Sequence, residues 1–440
     1  MNRVLQMIKG LIPVSVKRFL LMLTFPDLRV RLLVLLSGYR HQRALARLSG
    51  KPVLKCVFFA LFEDVWKYDR VYQLMEKHPR FEPVILVCPV VNYGYENMLP
   101  RMKQAYRFYQ KKGYRVICSY DESTGRYVDV RKELNPDIIF YTNPYEGLID
   151  DRYYIKQFPD KLTVYVPYYM NDVSDYSLAY DQLLHSLVWR MYLENNLSLQ
   201  CAKRASRTGG HQMYVSGYPG IEAYIDKTYV SGDDCWKVKG HTHKRIIWAP
   251  HHTIYPVEGI QYSCFLSYSD FMLQMARKYQ DEVEFAFKPP PILKNRLYEV
   301  WGKEKTDDYY AQWAEMPNTI LQEGEYTDLF LSSDAMIHDS GSFIIEYMYV
   351  DKPVMLTMRE DRNGKYDFSQ TASACLENYY VARNEEQIEQ FIQNMISGTD
   401  PMKEQRTRFV HDVLLPEGMP SENILNDILD SIDHQVLYRN

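Results

Sequence analysis

The sequence lacks the features that mark several large classes of protein. Its seven cysteines stand singly, with no Cys-x-x-Cys pair, which predicts reduced thiols in a cytosolic protein rather than a disulfide framework or a cysteine zinc site. No apolar run reaches the roughly 18 residues of a transmembrane helix. Gly-x-Gly-x-x-Gly, Gly-x-x-x-x-Gly-Lys-Ser/Thr and Gly-x-Ser-x-Gly are absent, so dinucleotide oxidoreductases, P-loop NTPases and serine hydrolases have no support.

Charge is nearly balanced overall but unevenly distributed. The 440 residues carry 52 Lys+Arg and 56 Asp+Glu, yet residues 1–55 hold eleven of the basic residues and only one acid, Asp27. Apolar clusters alternate with these basic residues, a pattern typical of a helix lying in the plane of an anionic membrane. We therefore expect residues 1–50 to form a basic amphipathic helical arm on the inner face of the cell membrane. The alternative is an arm packed on the acidic body.

Nucleic acid is not an expected partner. The rest of the chain is acidic, and no RNA- or DNA-binding motif accompanies the basic residues.

Short apolar runs alternate with longer amphipathic runs from Lys55 onward, which predicts an α/β fold with parallel sheets. The alternation stops at a Gly-rich, charged stretch and then restarts, so we predict two Rossmann-like domains facing a central cleft. A single long helix is expected over residues 180–202. The predicted boundaries are 51–228 for the first domain, 229–243 for a linker, 244–415 for the second domain and 416–440 for a C-terminal helix. Strands are predicted at 54–61, 83–91, 114–120, 137–141 and 162–168, and then at 245–249, 283–288, 319–321, 335–338 and 354–357.

The segment from Ser333 to Glu346 is the most informative. A short buried strand ends in His338-Asp339, turns through Ser340-Gly341-Ser342 and enters an apolar helix. The first turn of such a helix offers unpaired backbone N–H groups and the positive end of the helix dipole, which suits a phosphate or pyrophosphate. Glu346, one turn further, is placed to reach ribose hydroxyls. The alternative is that these Ser and Asp residues only cap the helix.

Two further strand ends carry polar groups. Pro250-His251-His252-Thr253 follows one predicted strand and Lys288 ends another. Donors and positive charges at several carboxyl strand ends predict a site for an anionic ligand. The histidines lack the carboxylate spacing of a metal site, so neither a metal nor a cofactor is expected. Tyr168 and Tyr169 belong to a tyrosine cluster that suits a polyol or a sugar, although core packing explains tyrosines equally well.

Residues 245–356 resemble the CDP-glycerol glycerophosphotransferase family, whose members build teichoic acids and related polymers. The resemblance rests on Ile-Ile-Trp-Ala-Pro-His-His-Thr, Phe-Ala-Phe-Lys-Pro, Glu-Gly-Glu-Tyr-Thr-Asp-Leu-Phe, Ser-Asp-Ala-Met-Ile-His-Asp-Ser-Gly-Ser-Phe and Asp-Lys-Pro-Val. It implies a GT-B-like arrangement of the two domains. It further implies transfer of glycerol phosphate, or another polyol phosphate, from a CDP-activated donor to a hydroxyl of a lipid-linked glycan or polymer, with release of CMP.

The resemblance implies that the turn from Ser340 to Ser342, with His251 and Thr253, holds the pyrophosphate of the donor, and that a base in the first domain activates the acceptor. Combined with the strand-end analysis, it leads us to predict acceptor binding by Tyr168 and Tyr169 and catalysis by Asp172, His251 and His338. The predicted donor-binding set is Pro250, His252, Thr253, Lys288, Asp334, Asp339, Ser340, Gly341, Ser342 and Glu346.

The chain departs from the family pattern at two places. Pro290 occupies the usual position of a histidine, and Tyr168 to Asp172 stand where longer polymerases carry His-Gly-Thr-Pro-x-Lys. Three other functions therefore stay open. One is a GT-B glycosyltransferase using a nucleotide sugar. A second is a non-hydrolysing UDP-GlcNAc 2-epimerase, although its Thr-Glu-Arg-Pro-Glu block is missing. The third is a non-catalytic nucleotide-binding member of the family.

Overall fold

A computed structural model describes residues 26–92, 94–230, 235–256, 261–359 and 367–438. The first half of the predicted basic arm, residues 1–25, lies outside these ranges. None of the helices within them has the length and apolar character needed to cross a membrane.

The first sheet has seven strands, all paired in parallel, in the order β3-β2-β1-β6-β7-β8-β9. Strand β1 lies centrally, and its apolar run packs on both faces of the sheet, as in the stacked pair Phe58–Phe140 with ring centroids 4.3 Å apart. Strands β4 and β5 form a separate antiparallel pair. The strands are β1 (Leu54–Ala60), β2 (Phe81–Val87), β3 (Val116–Cys118), β4 (Tyr120–Asp121), β5 (Arg126–Tyr127), β6 (Ile138–Tyr141), β7 (Leu162–Tyr165), β8 (Arg190–Leu193) and β9 (Met213–Val215).

The second sheet has six parallel strands in the order β12-β11-β10-β13-β14-β15. Its core is aromatic, with the Trp248 ring stacked 5.1 Å from Phe287. The two sheets lie on opposite sides of residues 229–243 in the sequence, which confirms the predicted α/β fold with two Rossmann-like domains. The strands are β10 (Lys244–Ala249), β11 (Val283–Phe287), β12 (Thr319–Leu321), β13 (Ala335–His338), β14 (Val354–Thr357) and β15 (Tyr380–Ala382).

Helices cover both sheets, as parallel sheets require. The first eight are α1 (Pro26–Leu48), α2 (Asp69–Lys77), α3 (Tyr95–Lys111), α4 (Tyr176–Tyr180), α5 (Leu183–Leu187), α6 (Asn196–Ala205), α7 (Glu222–Ile225) and α8 (Phe265–Lys278). The remaining eight are α9 (Pro291–Trp301), α10 (Lys303–Glu315), α11 (Thr327–Ser332), α12 (Gly341–Glu346), α13 (Gln370–Leu376), α14 (Glu385–Ser397), α15 (Lys403–Phe409) and α16 (Pro420–Asp433). Within the described residues, two π-helical turns, Val130–Leu134 and Val410–Leu414, and short 3₁₀ turns are also present.

The long helix predicted over residues 180–202 is wrong. Helices α4 and α5, strand β8 and helix α6 occupy this stretch instead. The Asn195 side chain accepts from the backbone N–H of Ser198 at 3.0 Å and so starts α6 afresh. Tertiary pairing of β8 with β7 and β9 prevails over the helical pattern, because a short buried strand and a buried helix segment share the same apolar periodicity.

Two structures join the domains. Helix α16 returns to the first domain, where buried Arg190 bonds Asp427 at 3.0 Å and Ser431 Oγ at 2.8 Å. On the cleft side, Val173 pairs with Phe368 in an antiparallel bridge, and the Ser369 N–H donates to the Asp172 carbonyl at 2.8 Å. This second contact brings the loop after β7 against the second domain.

Candidate functional site

The centre of the site is a loop held by one buried carboxylate. Asp339 follows β13, and its two oxygens accept the backbone N–H groups of His251 and Cys264. These bonds fix the loop that follows β10 against the turn that follows β13. Burial raises the pKa of Asp339 to about 7, although both backbone donors oppose the rise.

The hydrogen-bond network assigns the proton of His251. The backbone N–H of Thr253 donates to His251 Nδ1 at 3.3 Å, and Thr253 Oγ1 lies 2.7 Å from the same nitrogen. Because a backbone N–H only donates, Nδ1 is an acceptor and carries no proton. Burial lowers the pKa of His251 to about 3, with the nearby His252 and Arg296 adding to the effect. The ring is therefore neutral, with its proton on Nε2.

The neighbouring histidine has the same tautomer for a different reason. Arg296 donates to His252 Nδ1 at 2.9 Å, and an arginine cannot accept. Burial, followed by the Arg296 charge, lowers the pKa of His252. The two rings lie 4.1 Å apart. They form a pair of neutral Nε2–H donors at the carboxyl edge of the second sheet, an arrangement suited to anionic oxygens.

The first domain contributes a carboxylate to the same place. A Cβ atom at Gly341 would collide with Oδ2 of Asp172, and the next nearest group is the Tyr262 ring. Residue 341 therefore has to be glycine as long as Asp172 lies there. Burial raises the pKa of Asp172. The only glycine of the Ser-Gly-Ser turn is thus in contact with a side chain from the opposite domain.

A second polar cluster surrounds Glu346. Tyr224 donates to its Oε1 and Tyr326 to its Oε2, both at 3.1 Å. Burial raises the pKa of Glu346, whereas the charge of Lys67 in the first domain lowers it. Lys288 Nζ lies 5.5 Å above the Tyr326 ring, and burial lowers the pKa of this lysine. The cluster places a carboxylate, two phenols and an ammonium group beside the cleft.

An open cavity of about 670 Å³ adjoins the Asp339 loop. Cys264, whose N–H donates to Asp339, lies on its wall, and Arg359 and Arg383 line it after β14 and β15. A cavity of this volume accommodates a nucleotide-sized ligand.

Two residues assigned to the site from sequence lie elsewhere. Asp334 is at the amino-terminal end of β13, where its Oδ2 accepts the Arg245 N–H at 2.8 Å, so it caps the edge of the sheet opposite the cleft. His338 is fully buried and satisfied, accepting from the Ser340 N–H at 3.2 Å and lying 3.3 Å from the Tyr379 hydroxyl. The His338 ring packs between those of Phe343 and Tyr379, so it belongs to the packing of the second domain rather than to the cleft surface.

The other predicted residues divide between the two sides of the cleft. His251, Thr253, Asp339, Ser340 and Gly341 come together around the loop after β10. Thr253 is 2% exposed and its hydroxyl accepts from the Tyr262 N–H at 2.9 Å, so it positions His251 rather than facing the cleft. Ser342 is exposed. Pro250 and Pro290 lie at strand and helix ends, Pro290 preceding α9.

Tyr168 and Tyr169 lie on the first-domain side. Their rings are 4.8 Å apart, and the Tyr168 hydroxyl is 3.5 Å from that of Tyr145.

Sequence reasoning missed four residues that complete these clusters. Tyr224, Tyr262 and Arg296 stand in no motif, and only the fold brings them to the site. Tyr326 is different, because it lies inside the Glu-Gly-Glu-Tyr-Thr-Asp-Leu-Phe block and was available as a candidate.

Two Rossmann-like domains whose sheets present their carboxyl edges to one cleft define a GT-B-like enzyme. Solved structures share this fold. S. aureus MnaA with UDP is 14% identical with a TM-score of 0.51, covering 88% of this chain and 99% of its own. The UDP-GlcNAc 2-epimerase of Neisseria meningitidis bound to UDP-GlcNAc is 13% identical with a TM-score of 0.53, covering 86% and 99%. The wall teichoic acid polymerase TagF with CDPG is 12% identical with a TM-score of 0.51, covering 94% and 100%.

A sequence profile distinguishes among enzymes of this fold. The profile of the family described as CDP-glycerol:poly(glycerophosphate) glycerophosphotransferase matches residues 182–430, more than half of the chain. The protein belongs to this family, which confirms the resemblance found in the sequence, and it is a glycerophosphotransferase-like enzyme. A search of curated proteins gives no significant match.

Proposed function

We propose that the enzyme transfers glycerol phosphate, or another polyol phosphate, from a CDP-activated donor to a hydroxyl of a lipid-linked glycan or polymer. CMP is the leaving group, and the product is a cell-surface polymer of the teichoic-acid type. The observation that carries the proposal is the contact of Asp172 with Gly341, which brings a carboxylate of one domain against the motif turn of the other. Family membership supports the choice of donor.

The chemistry follows from the two sides of the cleft. The acceptor hydroxyl attacks the β-phosphorus of the donor, so a new P–O bond forms while the P–O bond to CMP breaks. Asp172 takes the proton of the attacking hydroxyl. The Nε2–H groups of His251 and His252 donate to phosphoryl oxygens, where charge has to be stabilised. Neither histidine serves as the base, because each free nitrogen already carries a proton.

Four further residues have proposed roles beside this centre. Lys288 supplies positive charge to the pyrophosphate, and Glu346 accepts from ribose hydroxyls of the donor. Tyr168 and Tyr169 stack on the acceptor polyol.

The membrane is the proposed location. Helix α1 leaves Leu32, Leu35, Leu36 and Tyr39 exposed, and basic residues adjoin them. An apolar stripe beside cations suits the inner surface of an anionic bilayer, where a lipid-linked acceptor is found.

Release of CMP tests the proposal. The enzyme is incubated with a lipid-linked acceptor and, in separate reactions, CDP-glycerol, CDP-ribitol or a UDP-sugar. We expect CMP from a CDP-polyol only when acceptor is present. No CMP from either CDP-polyol would overturn the proposal, and transfer or epimerisation of a UDP-sugar would replace it. A Pro290→His variant that alone gains turnover would identify the wild-type chain as a non-catalytic binder.

A further inference from the structure

A small pocket lies under helix α1, at the edge of the first sheet opposite the cleft. Its volume is about 60 Å³, enough for several water-sized groups, since one water needs roughly 10–15 Å³. Leu33 of α1 and Phe158, Pro159 and Leu187 of the first domain form its apolar walls. Residues 158 and 159 precede β7, which places the pocket at the amino ends of the strands and separates it from the transfer site.

Two cations line this pocket. Arg40 comes from α1 and Lys156 from the turn Ile155–Gln157. Lys156 Nζ bonds Glu146, whereas Arg40 has no hydrogen bond or ion pair with any described residue. Residues 30–48 of the helix contain basic residues and no acidic one. The pocket therefore has a net positive lining beside apolar walls.

The lining also includes His41, a buried residue with one polar atom that lacks a partner among the described residues. His41 is 2% exposed, and its Nδ1 makes no hydrogen bond within the described parts of the chain. Burial lowers its pKa to about 3, with the charge of Arg190 adding to the effect, so the ring is neutral. A neutral imidazole nitrogen in such a pocket pairs with a hydroxyl or an oxygen of a ligand.

The helix surface beside the pocket is apolar and exposed. Leu35 is 72% exposed and Tyr39 is 63% exposed. Leu32, Leu35, Leu36 and Tyr39 recur at the spacing of one helical face, and the pocket residues Leu33, Ser37 and Arg40 occupy the adjacent face. A ligand in the pocket would thus have its apolar part next to this stripe.

We infer that this pocket binds the phosphate-bearing headgroup of an anionic lipid. Arg40 pairs with the phosphate oxygens, Lys156 adds positive charge beside them, and the His41 ring adjoins the headgroup. The exposed apolar stripe of the helix, outside the pocket, receives the first methylenes of the lipid chains. The inference rests on the proposed membrane location and adds a lipid class and a defined site to it. The pocket provides a fixed contact for one lipid, in addition to the general attraction of a basic surface.

The full-length protein is titrated with monomeric dihexanoyl phosphatidylglycerol, dihexanoyl phosphatidylcholine or inorganic phosphate, without any nucleotide donor. We expect saturable binding of phosphatidylglycerol, and much weaker binding of the other two. Arg40→Gln should weaken phosphatidylglycerol binding about fivefold, the loss expected for one cation at a lipid phosphate. The matched control Arg43→Gln removes an exposed charge of the same helix that does not line the pocket, and it should have almost no effect.

Several results would overturn the inference. Both lipids carry a phosphate, but phosphatidylcholine adds a choline cation, which a positive lining disfavours. Equal binding of both lipids would therefore exclude selection of an anionic headgroup, and equal losses in the two arginine variants would indicate diffuse attraction. Inorganic phosphate binding as tightly as the lipid would indicate a plain anion site. Concentration-dependent dimerisation through the stripe, measured by light scattering without lipid, would also contradict it. Lys156→Gln is the second variant if Arg40→Gln lowers the melting temperature. Because no donor is present, these results are independent of whether CMP release is observed.

Discussion

The two edges that face the cleft differ in chemistry. The second-domain edge presents hydrogen-bond donors, with two neutral imidazole Nε2–H groups and the ammonium of Lys288. The first-domain edge presents phenols and one carboxylate at the motif turn, Tyr168, Tyr169 and Asp172. Glu346 is the exception on the second-domain side, and its two oxygens are already bonded by tyrosines. Donors suit a phosphate, whereas acceptors and phenol faces suit a hydroxylated, uncharged molecule. This difference is the basis for our proposal that the second domain holds the charged donor and the first domain holds the acceptor.

The edges also differ in how firmly they are held. Asp339 ties the His251 loop to β13 through two backbone N–H groups. The Asp172 loop is instead held by a contact with the other domain, the Val173–Phe368 bridge. The second-domain edge is therefore organised within its own domain, whereas the first-domain edge depends on the approach of the two domains.

Among the variants that test this comparison between the two edges, Asp172→Asn is expected to have the largest effect, a loss in kcat. Loss of a general base lowers kcat roughly 10²–10⁴-fold. The affinity for the anionic CDP-activated donor should be unchanged or higher, because the variant removes a negative charge beside Gly341. Because burial raises the pKa of Asp172, the wild-type rate should rise with pH through an apparent pKa above the usual aspartate value. Steady-state kinetics at several pH values measure kcat and its pH dependence, and titration with the CDP-activated donor measures its binding. Asp175→Asn, an exposed neighbour, is the control; equal losses in both variants would contradict the assignment.

Asp339→Asn should remove the pH dependence of the free energy of unfolding that arises from the buried Asp339 carboxyl. With a folded pKa of about 7 against roughly 3.9 unfolded, the folded protein binds more protons between these values, so wild-type stability should fall as pH rises from about 4 to 7. The full change is on the order of 4 kcal/mol. Denaturant unfolding at several pH values should show a flatter dependence in the variant. Asp334→Asn, at the opposite sheet edge, should keep the wild-type slope. If the free energies of unfolding of wild type and Asp339→Asn depend on pH in the same way, the pH dependence does not come from Asp339.

Thr253→Val should weaken the preference of His251 for the tautomer that carries its proton on Nε2. The variant keeps the backbone N–H, 3.3 Å from Nδ1, but loses the hydroxyl, which is closer at 2.7 Å. Because the weaker of the two contacts alone then favours an unprotonated Nδ1, we expect a partial shift of the proton from Nε2 to Nδ1. The expected loss in kcat is about tenfold, near the cost of one hydrogen bond to a charged group. ¹⁵N NMR of the histidine ring reports the tautomer independently of activity. Thr253→Ser should restore both properties. A valine variant with an unchanged Nε2–H spectrum would show that the hydroxyl is dispensable.

Tyr224→Phe is expected to have the smallest effect. It removes one of the two phenols that donate to Glu346 and leaves Tyr326 in place. The carboxylate then has one oxygen free for the donor, so KM should change by only a few fold while kcat is kept, about 1 kcal/mol at most. The double variant with Tyr326→Phe measures the coupling between the two phenols. A large fall in kcat for the single variant would show that Glu346 takes part in the chemical step and not only in binding.

The sequence predicted the fold well where strands are buried on both faces. The predictions at 319–321, 335–338 and 354–357 match β12, β13 and β14, because continuous apolar runs between helices are typical of parallel strands. Strand β15 is as short as β12, but only one of its three residues is buried, so it lacks the burial on both faces that marks the predicted strands. Strand β8 was absorbed into the predicted helix because a short buried strand and a buried helix segment cannot be distinguished by apolar pattern alone.

The site was harder to predict because it depends on the directions in which side chains point and on contacts between residues that are far apart in the sequence. His338 and Asp339 are adjacent polar residues at the end of one strand, yet one is buried under the turn and the other organises the loop. Their difference follows from the packing of His338 with Tyr379, which spacing does not reveal. The approach of Asp172 to Gly341 requires both domains to be folded and joined.

The most direct test of the account follows the oxygen of the acceptor. An acceptor labelled with ¹⁸O at the attacking hydroxyl is incubated with CDP-glycerol, and ³¹P NMR and mass spectrometry monitor product and CMP. Attack at the β-phosphorus predicts that the label lies in the new phosphodiester and that unlabelled CMP forms in equal amount. Label lost from the product, or product formed without CMP, would contradict transfer of a polyol phosphate across this cleft.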